Sequence, residues 1–225
     1  MNRSKFLLLA LLLFLFSACS TVPFPATRLT AAGPKSAAEL SASSWTAGTG
    51  SLLIRQSALF ELQGMRIPIT GVMKLDLTAR SARLVGMNDM GVKLYDISVD
   101  RTSSRTNFVV PELGRYPGFT EAVAVSVRRI FLEPLPSPTD LLTLSSRSYL
   151  LTRQGSDGKL TFLFGGADAQ LLEKTGESPA GSWRVRYYQY QPQQGRLIPG
   201  GIVLDDHRAG YRLTLWIESV EKTDD

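Results

Sequence analysis

Cysteine and histidine are almost absent from this sequence. Among its 225 residues there is one cysteine, Cys19, and one histidine, His207. A lone cysteine has no partner for a disulfide within its own chain, so we expect packing alone to hold the folded part together. The histidine ends the triplet Asp205-Asp206-His207, which lies in a predicted turn and is a weak signal for a metal site or an acid–base pair.

The usual sequence signals of catalysis and cofactor binding are missing as well. No serine lies in a Gly-x-Ser-x-Gly elbow, and no glycine-rich phosphate loop follows a predicted strand. The nearest approach is Gly165-Gly166, which no clear helix start follows. We therefore expect a protein that is not an enzyme and that needs neither a cofactor nor a metal.

Dense blocks of charge are also lacking. The chain has 25 Lys and Arg residues against 20 Asp and Glu residues, a net charge of +5, and loss of Arg3 and Lys5 with a signal peptide leaves about +3. The basic residues are spread along the chain, and no nucleic-acid-binding motif is present. This mild charge favours solubility, and we expect no nucleic-acid partner.

One long hydrophobic run is present, at the N-terminus. Residues 6–20 read FLLLALLLFLFSACS and follow the basic residues Arg3 and Lys5. The run is shorter than the about 20 apolar residues that cross a bilayer, and its pattern is typical of a secretory signal peptide. The small residues before Cys19 resemble the bacterial lipoprotein signal, although Phe16 stands where leucine is usual. The alternative is an ordinary signal peptide in which the cysteine is incidental.

The lipoprotein resemblance implies a division of the N-terminal region. Residues 1–18 are a signal peptide, Cys19 is acylated and attached to a membrane, and residues 19–44 include a tether rich in Ala, Ser, Thr and Pro. Residues 36–43 are also compatible with a short helix packed on the domain. Because Ser20 is not the aspartate that marks inner-membrane retention, the resemblance implies the outer membrane, facing the periplasm.

Alternation of apolar and polar residues predicts strands in most of the domain, residues 45–220. Apolar residues occupy the even positions of residues 51–62 and the odd positions of residues 66–77, and Gln63-Gly64 between them suits the turn of a long hairpin. Further strands are predicted at residues 82–87, 92–100, 147–154, 159–164, 169–175, 183–191, 202–205 and 211–220. Residues 221–225 are expected to be a frayed, charged tail.

Residues 118–132 change to a helical period, with apolar residues at i, i+3, i+4 and i+7. Arg128 and Arg129 lie off this stripe, and we expect them to form a solvated face or to contact lipid phosphates. Residues 139–144 are expected to form a second short helix beyond three prolines. The three methionines Met73, Met87 and Met90 are expected to fill the core.

The order of strands, helix and strands resembles the LolA/LolB-like superfamily of outer-membrane lipoprotein carriers. The matching stretches are SLLIRQSALFELQG, RIPITGVMKLDLT, ARLVGMNDMGVKLYDISVD and the closing YRLTLWIESV. The resemblance implies an α+β fold, in which a strongly curved antiparallel sheet forms an incomplete β-barrel covered by one or two helices. It also implies that the concave face binds acyl chains, with a periplasmic carrier protein as a possible partner.

Candidate residues for such a cavity are the apolar residues that face inward on the sheet and on the helix. They are Leu52, Ile54, Phe60, Ile67, Ile69, Met73, Leu75, Leu84, Leu94 and Ile97 on the sheet, and Phe119, Val123, Val127, Ile130 and Phe131 on the helix. Each also suits ordinary core packing. The expected function is therefore a carrier or receptor for lipoproteins or lipids, and the alternative is a scaffold lipoprotein that acts through protein contacts.

Overall fold

The computed structural model describes residues 22–30, 33–62 and 64–223. Within them the chain forms one antiparallel sheet of twelve strands, with short helices before and within it. The strands are β1 (Ser51–Leu62), β2 (Met65–Asp76), β3 (Ser81–Met87), β4 (Lys93–Val99), β5 (Ser104–Val109), β6 (Leu141–Leu144), β7 (Ser148–Gly155), β8 (Gly158–Gly165), β9 (Gln170–Ser178), β10 (Gly181–Gln193), β11 (Arg196–Asp206) and β12 (Tyr211–Thr223). The helices are α1 (Ala37–Ala42), α2 (Pro111–Gly114) and α3 (Phe119–Val127), and α3 continues into a π-helical turn, Arg128–Leu132.

The first and last strands pair at the middle of the sheet. The strand order is β5-β4-β3-β2-β1-β12-β11-β10-β9-β8-β7-β6, so β5 and β6 are the two edges and the sheet is not closed into a barrel. This arrangement confirms the incomplete barrel predicted from the sequence. The segment that joins β5 to β6 carries α2, α3 and the π-helical turn, and it therefore passes from one edge of the sheet to the other.

The hairpins form where alternation and turn chemistry agree. β1 pairs with β2 from Ser51 opposite Asp76 to Leu62 opposite Met65, as the alternation predicts. The turn after β2 is held by Asp76, whose carboxylate accepts the N–H groups of Thr78 and Ala79 at 2.8 Å each. One register shift, between Arg55 and Gln56 where β1 meets β12, is a β-bulge of the kind that bends a sheet.

The core lies between the concave face of the sheet and the helical segment. It is one continuous cluster whose buried members come from every strand except the two edge strands β5 and β6, and from α1, α2 and α3. Burial of apolar surface of this extent is the main source of stability for such a domain. A second, small cluster lies on the outer face of the sheet and includes Phe24, Tyr188 and Val203.

The structure corrects several sequence predictions. Residues 141–144 form the edge strand β6, so the second short helix predicted at residues 139–144 is wrong. Met73 is fully buried as expected, but Met90 is 80% exposed in the turn between β3 and β4. Strand β12 continues to Thr223, so the last residues before 224 are paired with β1 and not frayed.

Residues before 45 also differ from a free tether. The short helix that residues 36–43 allowed is present as α1, which begins with a capping box between Ser36 and Glu39. Leu40 of this helix is fully buried in the main core, and Trp45 packs edge-on against Phe131 at 5.6 Å. The folded unit thus includes residues that the sequence assigned to the tether.

Candidate functional site

Helix α3 rests on the concave face through aromatic and branched side chains. Phe119, in the first turn of α3, packs edge-on against Phe60 of β1 and Tyr95 of β4. The distances between ring centroids are 6.2 Å and 5.7 Å. Val127 and Ile130 continue the same face and are buried. The apolar stripe seen in the sequence is therefore the face that packs on the sheet.

The end of the helical segment is held by one buried cation. The ammonium group of Lys174 on β9 donates to the carbonyl oxygens of Ile130 and Pro134 at 3.3 Å each, and the Tyr187 hydroxyl also donates to Ile130 at 3.0 Å. These donors satisfy carbonyl groups that a helix end leaves free. Burial of the ammonium group lowers the pKa of Lys174 to about 7, although the negative charge of Glu133 opposes this shift.

A small cavity remains between α3 and the sheet. Its volume is about 30 Å³. Its lining is Gln56, Ala58, Phe60, Ile69, Leu84, Tyr95, Phe119, Val123, Ser126, Val127, Ile130, Phe131, Leu213 and Leu215. This volume is about that of one water molecule. In this conformation the interior is filled by the protein's own side chains, and an acyl chain has no room.

The polar side chains of Gln56, Tyr95 and Ser126 interrupt the apolar lining. The side chain of Gln56 is buried, and its Oε1 atom has no hydrogen-bond partner among the described residues. The hydroxyl of Ser126 donates to the carbonyl oxygen of Ala122 at 2.7 Å and lies 2.8 Å from the Tyr211 hydroxyl. The cavity is thus mainly apolar, and Gln56 Oε1 is a buried acceptor without a partner among the described residues.

The structure brings together half of the cavity residues proposed from the sequence. Phe60, Ile69, Phe119, Val123, Val127 and Phe131 line the cavity, together with Leu84 and Ile130. Leu52, Ile54, Met73, Leu75 and Ile97 are buried in the core away from it, and Ile67 and Leu94 are partly buried against the core. The second group therefore acts in packing in this conformation.

Sequence reasoning missed lining residues on both sides of the cavity. Leu213 and Leu215 of β12 had the right alternation, but only the pairing of β12 with β1 brings them beside Phe60. Tyr95 was hidden by the irregular phase of β4, and Ser126 is a small polar residue on an apolar helix face. The tertiary arrangement of α3 on the sheet decides these positions.

The two arginines after α3 are not a solvated face. The guanidinium group of Arg129 donates to the Asp206 carboxylate at 2.6 Å and lies 5.1 Å from the ring of Trp183. Arg128 donates to the carbonyl oxygen of Asp100 at 3.0 Å. These contacts tie the helical segment to the strands beside it and correct the exposure expected from the sequence.

The two carboxylates of the triplet Asp205-Asp206-His207 form ion pairs with arginines. Asp205 accepts from Arg186 at 2.7 Å and from Arg212 at 2.6 Å. Burial alone raises the pKa of Asp205, but the hydrogen bonds and charges of these arginines outweigh it, so the net pKa is lowered. His207 is exposed in the following turn, and the described residues contain no group of three or more acidic, histidine or cysteine side chains suited to a metal ion.

The predicted signal peptide and Cys19 lie outside the described residues, so their lipoprotein assignment stays a prediction. Among the described helices, none combines the length and the apolar character needed to span a bilayer.

Comparisons with known proteins identify the fold and not a close relative. No protein-family model matches the sequence, and no curated protein matches it either. Solved structures do match. A LolA superfamily protein from Nitrosomonas europaea has a TM-score of 0.53 at 10% identity, over 85% of this chain and 95% of that chain.

Two further solved structures show the same arrangement. An outer membrane lipoprotein-sorting protein domain from Vibrio parahaemolyticus has a TM-score of 0.54 at 10% identity, over 83% of this chain and 90% of that chain. A DUF1329 family protein from Desulfovibrio piger has a TM-score of 0.53 at 8% identity, over 83% and 90% of the two chains. The chain therefore has the LolA/LolB-like fold that its sequence pattern resembled.

Proposed function

We propose that this chain is a lipoprotein of the bacterial cell envelope that binds acyl chains between α3 and the sheet. Acyl groups on Cys19 hold it at the periplasmic face of the outer membrane, and it serves as a carrier or receptor for lipoproteins or lipids. The fold shared with LolA-superfamily and lipoprotein-sorting proteins supports the proposed role as a carrier. The lipoprotein-like signal before Cys19 supports the anchor.

One observation carries the proposal. A short helical segment covers a long concave sheet face through a mainly apolar contact, which has fourteen lining residues and leaves only a small cavity. Ligand pockets generally measure about 300–1,000 Å³, far above the cavity present here. Acyl chains must therefore displace α3. Each methylene that leaves water contributes roughly 0.8 kcal/mol, which offsets the loss of helix contacts.

The proposal includes no catalytic step. Binding by burial of hydrocarbon needs no nucleophile, metal or acid–base pair. We accordingly propose that His207 and its acidic neighbours stabilise the turn before β12, where Asp206 accepts the N–H groups of Arg208 at 3.0 Å and Ala209 at 2.9 Å.

A second function is favoured by the small volume of the cavity. If the interior stays filled by its own side chains, the protein acts as a scaffold lipoprotein through contacts with other envelope proteins. This alternative needs no movement of α3 and predicts that the domain takes up no lipid.

Lipid binding distinguishes the two functions. The soluble chain lacking residues 1–19 is mixed with palmitate and, separately, with a triacylated cysteine peptide, and complexes are counted by native mass spectrometry. The carrier proposal predicts one bound acyl ligand, and a protein that stays free of both probes at saturating concentration supports the scaffold.

Ala58→Phe narrows the cavity and should weaken acyl-chain binding about 10-fold or more, since overpacking opposes a ligand in the same space. The matched control Ala79→Phe, in the exposed turn after β2, should bind as the unaltered chain does.

A further inference from the structure

The N-terminal segment lies on the outer face of the sheet and is held there by an aromatic clamp. The ring of Phe24 stacks on Tyr188 of β10 at 5.4 Å and contacts Trp216 of β12 at 5.6 Å. Phe24 is only 7% exposed. Val203 of β11 lies beneath it, so the clamp bridges three neighbouring strands.

The strand below the clamp is shaped to receive this ring. A Cβ atom on Gly201 would lie 2.5 Å from the Phe24 ring, a distance that real side chains do not reach. Only glycine leaves the space that Phe24 occupies. The fit between a glycine and a buried aromatic residue distinguishes this contact from a loose tether lying on a surface.

Contacts continue along the segment towards α1. Leu29 lies over Gly165, where an added Cβ would come within 2.7 Å of its side chain. The Tyr149 hydroxyl donates to the carbonyl oxygen of Gly33. Leu40 then enters the main core. We call residues 22–30 and 33–45 the strap, because contacts spaced along these ranges hold them on the domain.

The clamp sits at the middle of the sheet, far from its open side. In the strand order β12 and β11 are the central pair, while β5 and β6 are the two edges. In an incomplete barrel the wall at the central strands lies opposite the gap between the edges. The segment that carries α3 joins those edges, so it is on the side away from the clamp.

Only a few residues separate Cys19 from the clamp in the sequence. Five residue steps separate Cys19 from Phe24, which span at most about 18 Å when fully extended. The polar layer of each leaflet takes up roughly 5–8 Å of that span. A domain of about 180 residues has a radius of gyration of roughly 16 Å. The segment between Cys19 and Phe24 is therefore too short for the side opposite the clamp to reach the membrane.

We propose that the strap fixes the orientation of the domain, with the outer face of β10–β12 turned towards the lipid headgroups and the gap between β5 and β6 turned away. This inference rests on the lipid anchor at Cys19 but not on acyl-chain binding. The side where α3 would open then faces the aqueous compartment, where a soluble partner can approach it.

Charge on the outer face does not set this orientation by itself. Arg184, Arg186 and Arg212 lie there with Asp205, Glu173 and Glu218, so these six groups carry no net charge. Balanced charge gives only weak attraction to anionic lipids. Neutral phosphatidylcholine vesicles therefore suffice for a test of the strap.

Energy transfer from the domain to the membrane tests the orientation. The chain beginning at Cys19 is coupled through its single thiol to maleimide lipids in phosphatidylcholine vesicles that carry an acceptor dye in the headgroups. A donor dye is attached through an unnatural azide side chain, either at exposed position 218 on β12 or at exposed position 143 on the edge strand β6. We expect at least about twofold higher transfer from position 218, from the width of a domain of this size. Equal transfer from the two positions would overturn the proposal.

Two variants distinguish the effect of the Phe24 contacts from the effect of the short chain between Cys19 and Phe24. Phe24→Ser removes the clamp and should bring the two transfer efficiencies close together. Because this change also removes a buried side chain, a second chain keeps Phe24 and inserts 20 Gly and Ser residues before Val22, which adds roughly 25 Å of flexible reach. It should lose the difference as well, while its thermal unfolding midpoint stays unchanged. A difference that survives the insertion contradicts the role of the strap.

The chemical coupling keeps this test independent of the proposed function. Natural acylation of Cys19 is read separately, from the mass of the mature protein isolated from membranes. A mature mass without acyl groups refutes the anchor, whereas equal energy transfer refutes only the orientation.

Discussion

At the scale of single residues, the interior holds one charged group whose ionisation can be followed. Lys174 is almost fully buried beneath the end of the helical segment, where it has carbonyl partners and the ring of Tyr187 at 5.8 Å. Its pKa falls from 10.5 in the unfolded chain to about 7 in the native protein because burial disfavours the charged form. Between these values the unfolded chain binds more protons, so the free energy of unfolding rises with pH.

The first prediction concerns this pH dependence. From pH 7 to pH 9 the free energy of unfolding should rise by about 2 kcal/mol, and Lys174→Met should remove most of that rise. The measurement is urea unfolding followed by tryptophan fluorescence at both pH values. The range ends at pH 9 because buried tyrosines, including Tyr95 and Tyr187, have raised pKa values and affect stability only above about pH 10.

An exposed lysine provides the control for this experiment. Lys159→Met on β8 removes the same charge at the surface and should leave the rise between pH 7 and pH 9 intact. The Ile130 carbonyl keeps the Tyr187 hydroxyl as a donor in the Lys174 variant, so the loss of one donor should not unfold the helix end. An unchanged pH slope in Lys174→Met would show that Lys174 titrates normally.

At the scale of elements, aromatic contacts at the start of α3 determine how firmly it covers the sheet. Phe119 is the residue that joins α3 to β1 and β4, through Phe60 and Tyr95. Phe119→Ala should lower the free energy of unfolding by about 3–5 kcal/mol, the usual range for a buried phenylalanine. It should also speed amide hydrogen exchange in residues 119–132, because local opening needs fewer contacts to break.

A neighbouring aromatic residue separates a local effect from a general loss of hydrophobic surface. Tyr116 precedes α3 and is 45% exposed. Tyr116→Ala should change the free energy of unfolding by less than about 0.5 kcal/mol and leave exchange in α3 unaltered. Equal effects of the two substitutions would mean that Phe119 does not hold the helix.

Elements with one buried face were predictable, and elements without one were not. β1 and β2 alternate along most of their length, with exceptions such as Leu53 and Leu59, so their pairing followed from the sequence. β5 is an exposed edge strand with no apolar face along most of its length, and no period marked it. β6 is a four-residue run, Leu141–Leu144, which is too short for its period to separate strand from helix.

The candidate site was predictable to about the same degree. The apolar stripe of α3 and the inward alternation of β1 placed Phe60, Val123 and Phe131 correctly at the contact between helix and sheet. The amount of free space was not predictable, because it depends on how closely the helix approaches. That packing leaves about 30 Å³ and makes displacement of α3 a condition for lipid binding.

At the scale of the whole molecule, the folded unit begins well before the strands. The sequence placed its start near residue 45, on the basis of composition, since Ala, Ser, Thr and Pro are common in linkers. The buried Leu40 and Phe24 are two isolated apolar residues in that stretch, and neither belongs to a periodic pattern. Such residues reveal their role only when the surface that receives them is known.

Two shortened chains test where the folded unit starts. A chain that begins at Lys35 keeps α1 with its Ser36 cap, whereas a chain that begins at Gly48 loses both Leu40 and Trp45 from the main core. Loss of a buried leucine costs about 2–5 kcal/mol and of a buried tryptophan about 3–5 kcal/mol, a large share of the about 5–15 kcal/mol that stabilises a typical domain. In urea, the chain from Lys35 should unfold in one cooperative transition, and the chain from Gly48 should unfold at a much lower concentration or fail to fold. If both chains unfold at the same concentration, α1 and Trp45 contribute nothing to the core, and residues 35–47 belong to the tether.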